Sequence, residues 1–345
     1  KAHEKGIRII LDGVFNHSGY FFAPFQDVLK NGVQSKYADW FHFLEFPEND
    51  GSPKYRCFGT SSNMPKLNTS NPRLKEYLFD TVAYWMKETE IDGWRLDVSD
   101  EIDHQFWRDF RKLVKDINPE AVIIGENWHN SYPWLMGDQF DGVMNYPVTK
   151  SCIRFFALQE INAEEFAEDL SGSLMWNSDQ ANFSMLNLLD SHDTMRFLTW
   201  CQRDKKKLML AILFLFSYVG IPCTYYGTEI GMEGNGDPDS RRTFDWDESH
   251  WDKDLLTFYK RIISFRKKCK PLQYGNIQMW ANDGAFYLER EYGNEKVLTV
   301  LNNTGEDKNI LPPGKAIEWV TTEKTADMHT EFLKPFGGFS FYYSV

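Results

Sequence analysis

The sequence predicts an α/β fold in which a parallel sheet with covering helices is followed by a small all-β domain. Short apolar strands alternate with amphipathic helices up to about residue 272, and six strand candidates end in polar residues. From about residue 273, segments such as "GAFYLEREY" and "KVLTVLNNT" alternate between Gly, Asn and Pro turns without a helical period. The 345 residues suffice for both parts, so we predict domains at 1–272 and 273–345.

The chain begins with "KAHEKGIRIILDGVFNH", which predicts the end of a helix, a stop at Gly6 and then a strand. No initiator Met precedes Lys1, so we expect the start to be truncated. Between the first two strands, the segment from about residue 18 to 71 is too long for an ordinary loop. It is rich in Phe, Pro, Gly and Asn, and it predicts a small inserted subdomain.

A helix is predicted to follow this insert, with Asn71 as its cap and Pro72 in its first turn. Its buried face is expected to contain Leu74, Leu78, Val82 and Trp85. The longest apolar run, residues 208–221, lies mid-chain, is too short to span a bilayer and meets Pro222. It therefore predicts a buried helix that leads into a strand.

Composition excludes several kinds of partner. With 38 Lys and Arg against 50 Asp and Glu, the net charge of −12 leaves no basic patch for nucleic acid or anionic membranes. A neutral substrate fits better, and about one in four of the 12 Trp is expected to stack on a polyhydroxylated ligand. The odd number of cysteines, without a CxxC pair, predicts buried thiols at Cys57, Cys152, Cys201, Cys223 and Cys269.

Polar side chains collect at the ends of the strand candidates, where a closed parallel barrel has its mouth. They are Asp12, Asn16, His17, Arg95, Asp97, Glu101, Glu126, Trp128, His129, Asp190, His192 and Asp193. Any one of them could be an ordinary solvated strand end. Their occurrence at four strand ends favours an active site.

Two acids in this set suit covalent catalysis. Arg95 and Asp97 are two residues apart on a strand and face the same side, so the guanidinium is expected to lower the pKa of Asp97 and keep it ionised as a nucleophile. A structural ion pair is the alternative. Glu126 follows Gly125, which we expect to let substrate approach, and desolvation should raise the pKa of Glu126 as a proton donor. Two such carboxyls are what a retaining glycosidase needs, and Asp193 beside His192 adds a third acid.

The ordered motifs resemble those of the α-amylase family, glycoside hydrolase family 13: "DGVFNH", "MPKLN", "GWRLDVSDE", "GENWH" and "LLDSHDT". The resemblance implies a (β/α)8 barrel of which strands three to eight are visible, with a subdomain inserted after the third strand and a C-terminal β-sandwich. It implies Asp97 as nucleophile, Glu126 as acid/base and Asp193 as transition-state stabiliser. Arg95, His17 and His192 would hold the sugar in the cleavage subsite.

Within the family, "MPKLN" resembles the neopullulanase, cyclomaltodextrinase and maltogenic amylase group. That group usually has Val-Ala-Asn-Glu after the nucleophile, whereas this chain has residues 98–101 as Val-Ser-Asp-Glu, so Glu101 is retained. Trp128 matches the position that stacks on the acceptor sugar, with a core Trp as the alternative. Asp237 and Arg241 match donor-side contacts, with a solvated charged loop as the alternative.

These features predict a retaining hydrolase of α-1,4 bonds in cyclodextrins and maltooligosaccharides, with pullulan and starch as further candidate substrates. An α-1,6-glucosidase, α-glucosidase or plain α-amylase is an alternative, and a non-catalytic glucan-binding protein or inactive fragment is one of another class. No organic cofactor is expected. The resemblance allows calcium, but it implies ligands mostly upstream of the given sequence, so none is assigned. The loop "EGNGDPD" is an alternative metal site, although Pro238 and Phe244 stand where an EF-hand needs Gly and Glu. We further expect a cytoplasmic protein and a homodimer formed through a missing N-terminal domain.

Overall fold

The computed structural model describes residues 1–46, 54–310, 316–323 and 332–344. The chain divides into two compact units, one comprising residues 1–127 and 131–144 and the other residues 128–130 and 145–345. The two units are described separately below. The predicted boundary near residue 272 is a different division of the chain and stays a prediction.

The first unit is built on parallel strands with helices between them. Its elements are β1 (Ile10–Val14), α1 (Ala23–Asn31), β2 (Phe43–Glu45), β3 (Lys54–Tyr55), α2 (Pro72–Thr89), β4 (Gly93–Asp97), α3 (His104–Ile117), β5 (Val122–Asn127) and β6 (Gly142–Asn145), whose last residue counts with the second unit. β1, β4, β5 and β6 are neighbours in that order, while β2 and β3 form a short antiparallel pair in the predicted insert. The register sets Asp12 beside Arg95 and Val14 beside Asp97.

Helix α2 begins as predicted. The Asn71 side chain accepts hydrogen bonds from the backbone N–H groups of Arg73 and Leu74, and Pro72 occupies the first turn. Leu74, Leu78 and Val82 are buried, but the prediction for Trp85 was wrong, because its side chain is 43% exposed. Met86 is buried instead, since the buried stripe advances by four residues at each step.

Strand β1 lies at one end of this sheet, and β4 is its only hydrogen-bonded strand neighbour among the described residues. Ile10 and Val14 of β1 have exposed side chains. These two apolar side chains are therefore accessible in the part of the chain that the structure describes.

The second unit combines further parallel strands and helices with an antiparallel sheet. Its elements are α4 (Tyr146–Cys152), α5 (Ala163–Met175), α6 (Asp179–Ser184), β7 (Leu186–Leu188), α7 (Phe197–Trp200), α8 (Lys205–Ser217), β8 (Ile221–Cys223), α9 (Lys253–Lys268), α10 (Lys270–Tyr274), β9 (Asn276–Asn282), β10 (Ala285–Tyr292), β11 (Glu295–Asn302), β12 (Lys308–Asn309), β13 (Glu318–Thr321), β14 (Phe332–Leu333) and β15 (Gly337–Ser344). β7 and β8 pair in parallel, and the antiparallel sheet has the order β13-β15-β11-β10-β9. The predicted C-terminal β-strands are confirmed.

The apolar run at residues 208–221 forms most of α8 and then enters β8, as predicted. Nine residues of α8 are buried, which explains why this helix is apolar on all sides. Within the ranges that the structure describes, no helix is both long and apolar enough to cross a membrane. All five cysteines are free, with Cys152, Cys201 and Cys269 buried as expected and Cys57 and Cys223 only partly buried.

Candidate active site

Arg95 is the centre of the polar cluster in the first unit. Its Nη1 donates hydrogen bonds of 2.8 Å to Oδ1 of Asp12 and 2.8 Å to Oδ1 of Asp97, while Nη2 lies 2.8 Å from Oε2 of Glu126. Three carboxylates from three adjacent strands therefore meet one guanidinium. The prediction that Arg95 and Asp97 point the same way is confirmed.

The charge of Arg95 is secured by this arrangement. Burial alone would lower the pKa of Arg95, but Glu126, Asp12 and Asp97 together raise it above its usual value. The guanidinium therefore keeps its positive charge in this cluster. One charged side chain thus holds Asp12, Asp97 and Glu126 in place.

The residue after Asp97 has an unusual backbone. Val98 adopts the left-handed conformation with φ 43° and ψ 47°, which is rare for a β-branched side chain. This turn directs the Val98 N–H to Oε2 of Glu126 at 3.0 Å. Strained conformations of this kind collect at functional sites. Glu126 itself is buried at the end of β5.

The role predicted for Gly125 was wrong. A side-chain carbon at this position would lie 2.6 Å from the Phe140 ring and 2.7 Å from the Ser99 hydroxyl. The space beside Gly125 is therefore filled by the protein and is not open to a substrate. The Ser99 hydroxyl donates to the Glu126 carbonyl at 3.1 Å, so this close packing fixes the backbone that positions Glu126.

His17 lies next to Asp97, with 4.0 Å between Nε2 and Oδ2. Its ring stacks on Phe58 with centroids 5.2 Å apart and an interplanar angle of 18°. Burial lowers the pKa of His17 below 6.5, opposed by Asp97 and Glu101 and assisted by Lys66. At neutral pH the imidazole is therefore uncharged and suited to hydrogen bonding with a hydroxyl group.

Glu101 belongs to a second polar group beside this cluster. Its Oε2 accepts from Lys66 Nζ at 3.1 Å and from Asn16 Nδ2 at 3.2 Å, and Lys66 also donates to Asn16 Oδ1 at 2.5 Å. The group fixes Glu101 through the "MPKLN" segment. Sequence reasoning quoted that segment but did not single out Lys66.

The second unit contains the third predicted acid. Asp193 is paired with His192, 3.0 Å from Nε2 to Oδ2, and accepts a hydrogen bond of 2.8 Å from Arg241 Nη2 at Oδ1. Arg241 also donates to Asp237 at 2.5 Å, and the Ser240 hydroxyl donates to the His192 carbonyl at 2.7 Å. The predicted residues His192, Asp193, Asp237 and Arg241 are thus brought together.

The acids of the "EGNGDPD" loop are engaged by arginines. Glu233 pairs with Arg203 at 2.6 Å and Asp239 with Arg242 at 2.8 Å. Across the described ranges, no three His, Cys, Asp or Glu side chains converge to hold a metal ion. We therefore assign no calcium ligands and no catalytic step to a metal.

Trp128 forms a flat stack on Tyr146, with centroids 3.7 Å apart and an interplanar angle of 6°. Tyr146 is buried, whereas Trp128 is partly exposed, so Tyr146 covers one face of the indole. A fixed, partly exposed indole is suited to stacking on a sugar ring.

Several supporting residues were not predicted, among them Phe58, Tyr146 and Arg196. The buried Arg196 lies over the rings of Tyr225 and Tyr226, with 4.0 and 4.8 Å to the centroids, and donates to the Ser240 carbonyl at 3.1 Å. It thereby supports the segment that includes Arg241. Its sequence signal is its place three residues after Asp193 and two residues beyond the motif "LLDSHDT".

A cavity of about 520 Å³ in the first unit is lined by Asp12 and His17. The rest of its lining is largely apolar and includes Val14, Leu78 and Trp94. A sugar needs convergent hydrogen-bonding groups, so we do not take this cavity as the substrate pocket.

The site thus belongs to an α/β protein that gathers carboxylates near the carboxyl ends of its parallel strands. The sequence profile described as "Alpha amylase, catalytic domain" matches residues 1–274, and the chain belongs to this family. It is 48% identical over 317 residues to a cyclomaltodextrinase from Geobacillus thermopakistaniensis (strain MAS1), which covers 91% of this chain and 54% of that protein. It is 49% identical over 316 residues to neopullulanase 2 from Thermoactinomyces vulgaris, covering 90% and 54% respectively.

Among solved structures, the cyclic α-maltosyl-(1→6)-maltose hydrolase from Arthrobacter globiformis superimposes with a TM-score of 0.88 at 33% identity. The match covers 99% of this chain and 76% of that one. The predicted α/β fold class of the family is confirmed. The chain spans about half the length of the curated relatives that it matches.

Proposed function

We propose that the protein is a retaining glycoside hydrolase that cleaves α-1,4 bonds of cyclodextrins and maltooligosaccharides and also acts on pullulan and starch. The observation that carries this proposal is the single guanidinium of Arg95 that holds both Asp97 and Glu126 at 2.8 Å. Relatives named cyclomaltodextrinase and neopullulanase, at 48% and 49% identity, support the substrate class.

In this mechanism Asp97 attacks the anomeric carbon while the bond from that carbon to the glycosidic oxygen breaks. Glu126 donates its proton to the leaving oxygen. Water then loses a proton to Glu126 and attacks the same carbon, which releases Asp97 and returns the enzyme to its starting state. Arg95 keeps both side chains oriented during the two steps.

Asp193 is proposed to stabilise the positive charge that develops on the sugar in the transition state. Its pairing with His192 and Arg241 fixes the direction of the carboxylate. His17, Arg95 and His192 would hold the sugar at the cleavage subsite. Trp128 and Glu101 would contact the acceptor side, and Asp237 and Arg241 the donor side. No organic cofactor enters this scheme.

An α-1,6-specific hydrolase is the second candidate, favoured by the likeness to a cyclic α-maltosyl-(1→6)-maltose hydrolase. The products of panose separate the two bond types, because cleavage of its α-1,6 bond gives glucose and maltose, whereas cleavage of its α-1,4 bond gives isomaltose and glucose. A cytoplasmic location is part of the proposal because all five cysteines are free thiols. The homodimer stays a prediction.

The first test incubates γ-cyclodextrin with the purified chain and with an Asp97→Asn variant, followed by chromatography of the products. Maltose and glucose formed only by the unmutated chain would support the proposal. Proton NMR of the first product should show the α-anomer, as retention requires. An initial β-anomer, or equal product from the variant, would contradict the assignment of Asp97.

A further inference from the structure

Trp246 is the most exposed tryptophan of the chain, with 82% of its surface accessible, against 43% for Trp85, the next most exposed. A single exposed apolar side chain is ordinary, but an indole of this size on a fixed support is not. Its ring packs at an angle on Phe244, with centroids 4.7 Å apart. Phe244 is in turn held by Trp251, at 5.8 Å.

The loop that presents Trp246 is ordered by its own hydrogen bonds. Asp245 accepts from the Asp247 N–H at 2.9 Å, and its carbonyl accepts from the Trp251 indole at 2.7 Å. His250 Nδ1 lies 2.9 Å from the Asp245 carboxylate, and Asp247 accepts from the Ser249 N–H at 2.9 Å. The indole is therefore displayed on a braced loop, which reduces the entropy lost when a ligand binds.

The loop continues directly from the donor-side residues of the proposed active site. Trp246 follows Arg241 by five residues, and an extended chain of that length spans at most about 18 Å. Arg241 contacts Asp193, and the Arg242 carbonyl accepts from the Tyr226 hydroxyl at 2.7 Å, so the start of the loop is fixed. Trp246 thus lies within the length of a short oligosaccharide from Arg241.

The surroundings of the indole select the kind of ligand. Asp245, Asp247 and Glu248 lie within two residues of Trp246 in the sequence, and carboxylates accept hydrogen bonds from hydroxyl groups and repel anions. An aromatic face flanked by acceptors is suited to a neutral, hydroxyl-rich chain.

We propose that Trp246 forms an outer subsite that stacks on α-glucan chains too long for the cleavage subsites alone. This inference rests on the proposed function and extends it to substrate length. Trp246 would add affinity for long maltooligosaccharides and leave the binding of short ones unchanged.

The test measures glucan binding by calorimetry in an Asp97→Asn background, which prevents hydrolysis during the titration. Trp246→Ala should raise the Kd for maltoheptaose by about tenfold and leave the Kd for maltotriose unchanged. Trp246→Phe should give an intermediate Kd. Met175→Ala is the matched control, since Met175 is 85% exposed in the same unit and should change neither Kd.

Three results would overturn the inference: an unchanged Kd for maltoheptaose in Trp246→Ala, an equal loss for both sugars, or the same loss in Met175→Ala. A change of elution volume in Trp246→Ala with unchanged glucan affinity would mark a protein contact instead. If the unmutated chain hydrolyses γ-cyclodextrin while Trp246→Ala binds maltoheptaose normally, the outer subsite is contradicted and the proposed function is kept. If neither hydrolysis nor glucan binding occurs in any variant, both the proposed function and the outer subsite are contradicted.

Discussion

Arg95 shows how one side chain can organise a site from three strands. Its planar guanidinium offers several donors at fixed angles, so Nη1 can bind Asp12 and Asp97 while Nη2 contacts Glu126. A lysine has a single charged nitrogen and could not hold all three carboxylates in the same geometry. The arginine thus fixes the relative position of the proposed catalytic pair.

We therefore expect Arg95→Lys to lower kcat on γ-cyclodextrin by on the order of 100-fold, although the charge is kept. The reason is the loss of the second contact nitrogen between Asp97 and Glu126. Initial rates measured beside Arg108→Lys, which alters an exposed ion pair with Asp138 in the same unit, provide the control. Near-normal turnover in Arg95→Lys would show that charge alone suffices.

Val98 allows the backbone strain beside Asp97 to be measured. Glycine adopts the left-handed region without penalty, whereas alanine retains the β-carbon that is unfavourable there. Val98→Gly should therefore be more stable than Val98→Ala by about 1 kcal/mol, the reverse of their order in an ordinary strand. Urea unfolding of both variants measures this difference. A more stable alanine variant would show that the turn relaxes.

Sequence reasoning reached the charged residues of the site but not their supports. Arg95 and Asp97 were predicted to face the same way because strand side chains alternate with period two. Lys66 and Phe58 come from the long insert, and no local pattern indicates that they return to Glu101 and His17. Gly125 was misjudged because only the fold shows that Phe140 fills its free space.

At the scale of elements, the loop around Trp246 contains a hydrogen bond between His250 and Asp245 whose strength depends on pH. His250 is hydrogen-bonded to Asp245, and this bond, with the charges of Asp245 and Asp247, raises the pKa of His250 above 6.5. Because the pKa of His250 is higher in the folded state than in the unfolded state, protonated His250 stabilises the folded state fully below pH 6.5. This stabilisation is lost as the pH rises through the folded-state pKa of His250.

His250→Gln should accordingly lower Tm at pH 5.5 and change it little at pH 9. Thermal unfolding of both proteins at the two pH values tests the sign. Ser249→Ala removes a hydrogen bond to Asp247 without a titratable group, so its effect should be equal at both pH values. A larger decrease in Tm for His250→Gln at pH 9 than at pH 5.5 would contradict a stabilising role of protonated His250.

Elements with strong local signals were predicted well, as the start of α2 and the run that forms α8 illustrate. A cap followed by proline marks a helix start whatever packs on it. Which residues of a helix are buried depends on the elements that pack on it, so Trp85 was wrongly predicted to be buried. The order of strands around a site is likewise a tertiary property that periodicity does not contain.

At the scale of the whole molecule, β1 is the end strand of the parallel sheet among the described residues. Its Ile10 and Val14 side chains are exposed, so β1 offers a surface for pairing with a further strand, whichever chain supplies that strand. A strand paired with β1 would cover both side chains.

The register of β1 gives such a pairing a consequence for the site. Asp12 and Val14 are paired with Arg95 and Asp97, so only β1 would separate an added strand from the strand of the proposed nucleophile. The side chains of that strand would border the site beside Asp12, and substitutions in them would change substrate binding without altering Asp97 or Glu126.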